Sequence, residues 1–339
     1  MPFSNTYTPT DNLNPGSAVS NREDLTDVWT ILAPEETPVL SSAQKARAAA
    51  TYSEWTVDSL DGPSTDGIVE GDDVSTFTDQ FAGRARMGNY TQKFRRDYRV
   101  SDLQEAVDSV GPAKIAQAEA KAIRELKRDV EATLCSANVK QSAGTSTPYK
   151  MTGLGGFIDS AAADTTVPAG FKTPASSIYS TAEATADEFS ETAMNDLISS
   201  IFEVNGVSNG LILVADVGLR RVISDFARLS TVSTETSIRN VNYDGGTAAI
   251  KLSVELYQSD HGIVSIVNAN PDCMPEFGVS GNNGSGYLLN PEYYGVHELI
   301  PMGSTRLPNQ GGGERGFVDC ALTLGVYHPQ AHGLIQAVS

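Results

Sequence analysis

The stretch His297-Glu298-Leu299-Ile300-Pro301 opens like the helical H-E-x-x-H motif, in which two histidines one turn apart hold zinc and the glutamate activates water. Pro301 stands where the second histidine must be, so the motif is incomplete, and a strand residue is the plainer reading of His297. His328 and His332 are four apart, the spacing of two ligands on one helical turn, but Pro329 between them argues against a shared helix. Cys135, Cys273 and Cys320 are odd in number and follow no zinc spacing, so they read as free thiols of a reducing compartment. Asp66, Glu70, Asp72 and Asp73 could gather around calcium, yet they lack the loop spacing that calcium sites use, and a solvated loop is the better reading. The glycine-rich run 278–287 has no strand-to-helix context and does not make a phosphate cradle. No convergent polar constellation remains. The chain is not expected to be an enzyme, and it offers no catalytic, cofactor-binding or metal-binding residue.

One basic stretch stands out. Arg84, Arg86, Lys93, Arg95, Arg96 and Arg99 interleave with Tyr90, Phe94 and Tyr98. Alone, that pattern could bind nucleic acid. The chain as a whole carries a net charge of -18, which opposes phosphate binding and favours a surface that resists non-specific sticking. Contact with an acidic protein surface therefore suits the stretch better. Hydrophobic residues make up 40% of the 339, enough for a sizeable core. No apolar run approaches the length of a membrane span, and the first residues do not read as a secretory signal.

The elements that must position these residues follow from periodicity. Residues 1–20, rich in Asn, Pro, Ser and Thr, read as an extended arm. A short helix over 21–32 follows, with Leu25, Val28, Trp29 and Leu32 on one face. Pro34 and Pro38 stop it. Two strand-like runs come next. In 52–60, Tyr52, Glu54 and Thr56 alternate with Ser53, Trp55 and Val57. Residues 81–94 form the second run, and the acidic, turn-rich segment between them makes a wide loop with too little apolar content to fold alone. Ser101 and Gln104 suggest a capping box, and Gly111-Pro112 interrupts the helical pattern. From 112 to 137 the sequence predicts one unbroken helix of roughly 39 Å. Its stripe is narrow (Ile115, Ala118, Ala122, Leu126, Val130, Leu134), and charges, Glu131 among them, fill the rest. A capped helix over 190–206, a buried strand over 210–215, a helix over 216–227 and a hairpin across Asp260-His261-Gly262 make a compact α+β unit. In that hairpin Ile250, Leu252, Val254 and Leu256 are expected on one face. Strands over 286–290, 293–300 and 316–329 close the chain, the last with Val318, Cys320, Leu322, Leu324 and Val326 on one face.

This order of elements, with the stretches APEETPVLSS, YSEWTVDSL, GNYTQKF, RVSD, IRELKRDVEATL and LTLGVYHPQAHGLI, resembles the major capsid proteins of tailed phages, which have the Hong Kong 97-type fold. The likeness runs from about residue 22 to the end, although 160–187 and 227–248 match nothing in it. It implies an α+β chain divided into an N-terminal arm and short helix (1–45), an extended loop (46–98), a peripheral domain with its spine helix (99–185), an axial domain (186–290), and returning strands with a C-terminal segment (291–339).

The resemblance also implies function: self-assembly into hexamers and pentamers of an icosahedral shell that encloses packaged double-stranded DNA, touching it only weakly. The protein would be made in the host bacterial cytoplasm and end in the virion. Its expected partners are itself, a portal, an optional decoration protein and a scaffolding protein, which is expected to be separate because only about twenty residues precede the first helix. A different structural subunit, of a tail tube or a surface layer, is the alternative. The extended loop would lie over the adjacent subunit, which makes Trp55, Phe77, Phe81, Arg84, Arg86, Phe94, Arg95, Arg96, Asp66, Glu70, Asp72 and Asp73 the candidate contact residues.

Overall fold

The computed structural model describes residues 36–106, 114–159, 167–181, 189–206, 210–226, 241–244, 247–250, 255–274 and 285–337. The N-terminal arm, the helix expected at 21–32, Gly111-Pro112, most of the glycine-rich run, and Leu252 and Val254 lie outside these residues.

Pro38 does not stop a helix but begins one, at a first-turn position where its missing N–H costs nothing. The helix is α1, Pro38–Ser42, and β1, Gln44–Arg47, follows it. Then come β2 (Tyr52–Val57), β3 (Ala85–Tyr90), β4 (Gln92–Val100), α2 (Asp102–Ala106), α3 (Lys114–Cys135) and α4 (Leu154–Phe157). The C-terminal half contains β5 (Ile178–Thr181), α5 (Glu191–Asn205), β6 (Leu211–Ala215), α6 (Val217–Phe226), β7 (Val241–Asp244) and β8 (Thr247–Ile250). It continues through β9 (Leu256–Ser259), β10 (Gly262–Asn268), β11 (Gly286–Leu289), β12 (Tyr294–Leu307), β13 (Glu314–Val326) and β14 (Gly333–Ala337).

Two sheets carry the structure. The first has four strands in the order β1-β12-β13-β4, and α3 lies across it. Leu126, Val130 and Leu134 of α3 are fully buried against the face of β13 that carries Val318, Cys320, Leu322, Leu324 and Val326. The long helix is thus unbroken within the described residues, and its narrow stripe is the buried one. The second sheet has six strands in the order β5-β14-β11-β6-β10-β9. Met194, Leu197, Ile198 and Ile201 of α5 and Leu219 and Ile223 of α6 pack on it in a second core cluster. Ser190 caps α5 by accepting from the Ala193 N–H at 3.2 Å, and Gly206, at φ 69°, closes it in the left-handed region that glycine enters without a Cβ penalty. Tyr287 joins the two halves: it lies in β11, and its hydroxyl donates to the Cys135 carbonyl at the end of α3 at 2.8 Å.

Two expectations are corrected here. Residues 81–94 are not one strand. β3 ends at Tyr90, and after Thr91 the chain enters β4, an edge strand of the four-stranded sheet. The boundary expected at 98 therefore falls inside β4. In the β9–β10 hairpin, Leu256 points outward and is 62% exposed, while Tyr257 packs inward. With a side-chain period of two, a one-residue shift in register reverses every face.

β12 runs through Pro301 because the strand is irregular there. The pairing with β13 slips between Glu298 and Ile300 and again between Ile300 and Gly303, so the proline falls where no ladder bond is required.

His332 lies in the crossover from β13 to β14 and is fully buried. Its Nδ1 accepts from the Asn290 N–H at 3.1 Å, so Nε2 carries the proton and faces the Tyr293 carbonyl at 3.4 Å. Burial pushes the imidazole down to about 4, from an unfolded value of 6.5. Below pH 6.5 the unfolded chain takes a proton that the folded chain refuses, so stability falls with falling pH until about pH 4. The expected loss is about 3 kcal/mol. His332→Asn, whose side-chain oxygen can still accept from Asn290, should flatten this dependence in urea titrations across that window. An unchanged slope would show that other groups cause it.

Candidate functional site

The hairpin β2–β3 projects from the body, and its two ends differ physically. Its base has a core. β2 pairs with β3 from Tyr52↔Tyr90 to Val57↔Ala85. Val57 and Met87 are buried. The half-buried Trp55 ring packs at 6.1 Å from Phe157, 6.1 Å from His297 and 6.2 Å from Tyr327. Ser53 Oγ meets His297 Nδ1 at 2.8 Å, and His297 Nε2 meets the Tyr327 hydroxyl at 2.9 Å. Burial lowers the His297 pKa, so a neutral imidazole links the hairpin to β12 and β13. His297 is a strand residue, and among the described residues no three His, Cys, Asp or Glu side chains are placed to hold a metal ion.

Asn89 anchors the base most firmly. It is fully buried; its Nδ2 donates to the Thr152 and Leu324 carbonyls at 3.0 and 2.9 Å, and its Oδ1 accepts from the Thr152 N–H at 2.9 Å. Its side chain therefore ties the hairpin both to β13 and to the segment that follows α3. That segment, 151–158, is buried except for the half-buried Gly156, and neighbouring atoms approach Gly153, Gly155 and Gly156 too closely to admit a Cβ without a shift.

The distal part, 58–84, has no core. Every residue in it is exposed. Leu60, Ile68 and Phe77 are 99%, 88% and 89% exposed, and Phe81 is 63% exposed. The segment has seven carboxylates and one cation, Arg84. Asp66, Glu70, Asp72 and Asp73 are all exposed. Arg84 pairs with Asp58 at 3.0 Å and lies over the Phe81 ring at 4.4 Å from its centroid.

The basic stretch is therefore divided. Arg84 and Arg86 belong to the hairpin, and Arg86 pairs with Glu54 at 3.7 Å. β4 sorts the others by alternation. Phe94 and Tyr98 are buried under α3, and Arg96 on the same side makes a two-pronged bond to Asp129 of α3, at 2.5 and 2.7 Å. Phe94 and Arg96 thus make contacts inside the subunit: Phe94 is buried, while Arg96 stays exposed beside Asp129. Trp55 is largely used inside the subunit too. Arg95 and Arg99 alternate to the opposite, exposed face of the sheet. There Arg99 stands opposite Arg315 of β13, and Arg95 opposite Asp319, which pairs with Lys93 at 2.9 Å. Like charges opposed across a ladder are unfavourable unless an anion covers them.

One motif passes unnoticed in a search for chemistry alone. Gly206-Val207-Ser208-Asn209-Gly210 has the spacing of a nucleophile elbow. It joins α5 to β6, the reverse of the strand-to-helix order the elbow needs, and residues 207–209 lie outside those described.

The protein thus combines a hairpin whose tip is exposed and core-less, a long helix across a mixed four-stranded sheet and a second, helix-covered sheet. The family model of the SU10 major capsid protein matches residues 3–339. The chain belongs to that family of major capsid proteins. The capsid protein is similar in fold to the capsid of the cyanophage P-SCSP1u, with 13% identity over 98% of this chain and 95% of that one and a TM-score of 0.61. A capsid of an empty GTA particle matches at 12% identity over 95% and 96%, TM-score 0.60, and a structure of Mycobacterium phage Bobi at 11% over 94% and 96%, TM-score 0.58. No curated sequence matches. The fold is the Hong Kong 97 type, and the capsid protein is a structural, shell-forming protein of the tailed-phage virion.

Proposed function

We propose that the subunits form hexamers and pentamers that close around packaged double-stranded DNA, and that residues 58–84 of each subunit seat on the Arg95–Arg99–Arg315 face of the next. The observation that carries this reading is the fully exposed segment 58–84, acidic and studded with Leu60, Ile68, Phe77 and Phe81. Burying one such side chain contributes about 1.5–3 kcal/mol. Exposed ion pairs contribute only about 0–1 kcal/mol each, but a shell repeats them at every subunit. The acidic loop supplies the anion that the opposed Arg99 and Arg315 lack. With a net charge of -18, the shell holds DNA by confinement and not by adhesion. A scaffolding protein, a portal and an optional decoration protein are the further partners, synthesis takes place in the bacterial cytoplasm, and the protein's activity is assembly and not catalysis.

Negative-stain microscopy and sedimentation test the reading. Arg95→Glu with Arg99→Glu should abolish shells or confine them to high salt, while the subunits remain folded. Adding Asp72→Lys and Asp73→Lys should restore assembly. Normal shells from the double variant at every salt concentration would refute the seat. Arg96 is unsuitable for this test, because its reversal would undock β4 from α3 within the subunit.

A further inference from the structure

Glu131 lies on the buried stripe of α3 and is 1% exposed. Its two carboxylate oxygens accept from the backbone N–H groups of Val39 and Leu40, at 2.8 and 2.9 Å. These are two of the unsatisfied donors in the first turn of α1, where Thr37 supplies no side-chain cap. The cap comes instead from a residue 92 positions away. The same segment is tied at neighbouring points. Asn270 Nδ2 donates to the Glu36 carbonyl at 2.9 Å, Ser42 Oγ meets the Tyr294 hydroxyl at 2.6 Å, and β1 pairs in parallel with β12 from Gln44↔Gly295.

We propose that Glu131 is a positioning residue that pins residues 36–42 to α3, and so fixes the direction in which this segment crosses the helix and enters β1. Only a carboxylate can do this, because both of its oxygens must accept. A glutamine would keep one bond and turn an NH2 group against the second N–H. The carboxylate is retained at a cost in burial: desolvation raises its pKa, against the two N–H bonds that lower it. A charge buried for stability alone would be better replaced by an apolar side chain. A charge that specifies one arrangement of chain on helix has a reason to be there.

The consequence is a separation between local and global stability. Glu131→Gln removes the buried charge, so the global unfolding midpoint of the isolated subunit should change little. Hydrogen exchange at the Val39 and Leu40 amides should nevertheless accelerate about tenfold or more, and proteolysis within 36–43 should quicken, while amides in the middle of α3 keep their protection. In the unaltered subunit, Val39 and Leu40 should exchange as slowly as Val130 and Leu134; free exchange there would overturn the proposal without any variant. Adding Thr37→Asp to Glu131→Gln gives α1 a local cap. Amide protection should then return, but protease resistance at 36–43 should not. Recovery of both would show that Glu131 only caps α1, and the pinning role would fall. All of these measurements use unassembled subunits, so their outcome does not depend on how shells form.

Discussion

Asn89→Asp is expected to leave the subunit barely folded, with little soluble protein and no shells. The side chain is fully buried, and its amide nitrogen faces two backbone carbonyls, those of Thr152 and Leu324. An aspartate in the same place would set a carboxylate against both oxygens. It would have to be buried as an uncompensated charge or take up a proton, and breaking a buried polar arrangement in this way costs about 3–5 kcal/mol. A domain's whole stability is about 5–15 kcal/mol. Asn89→Leu should be damaging through a different route, because it strands the Thr152 N–H and both carbonyls at about 1–3 kcal/mol for each group left unpaired. Urea unfolding with the hairpin amides followed by hydrogen exchange can check both variants. The hairpin base, 52–57 with 85–90, should lose protection before α3 does. A midpoint within error of the unaltered protein for Asn89→Asp would mean that the hairpin is held chiefly by Trp55 and Val57.

Gly153→Ala should have an effect of similar size on the other side of the same junction. A Cβ at this position would lie 2.1 Å from the Ser136 carbonyl oxygen and 2.8 Å from that of Thr133. Both are backbone atoms at the end of α3 and cannot swing aside. Nearby, the Gly153 N–H donates to the Asn138 carbonyl and the Gly155 N–H to that of Ser136, each at 3.2 Å, so the loop is held close against the chain just past the helix. Overpacking against fixed backbone costs typically about 1–3 kcal/mol, and more where nothing can relax. The loss should appear as a lower unfolding midpoint, together with faster exchange at the C-terminal turn of α3. Gly170→Ala is the control. A Cβ there meets nothing within 4 Å, so its midpoint should not move. Equal effects from the two substitutions would show that close approach is not what Gly153 serves.

These two residues, with Glu131 and His332, mark the limit of what periodicity can reveal. The hairpin strand over 52–57 was legible because its alternation is strict, and the structure turns the Ser53, Trp55 and Val57 side inward. What could not be read was that its base packs on its own subunit. The contacts of Trp55 with Phe157, His297 and Tyr327 depend on segments about 100 to 270 residues away. The basic stretch looked like one feature because its charges are consecutive. The passage from β3 to β4 at Thr91 divides it between a projecting hairpin and a sheet, and alternation in β4 then gives Arg96 to α3 and leaves Arg95 exposed.

The sequence by itself determined the longer helices α3, α5 and α6, the strands β2, β6 and β10–β13, the ends of α5, the buried stripe of α3 and the acidic, core-less character of 58–84. Each of these is set by neighbours within a turn or two of the chain, where spacing and capping chemistry act directly. Tertiary structure alone decided which polar residues are buried and what they hold. Glu131 looks like one more solvated charge among the many on its helix, yet its partners are 92 and 91 residues away; those of Asn89 are 63 and 235 away. A buried polar group is stable only where its full set of partners converges, and that convergence is a property of the folded chain, which no local pattern encodes.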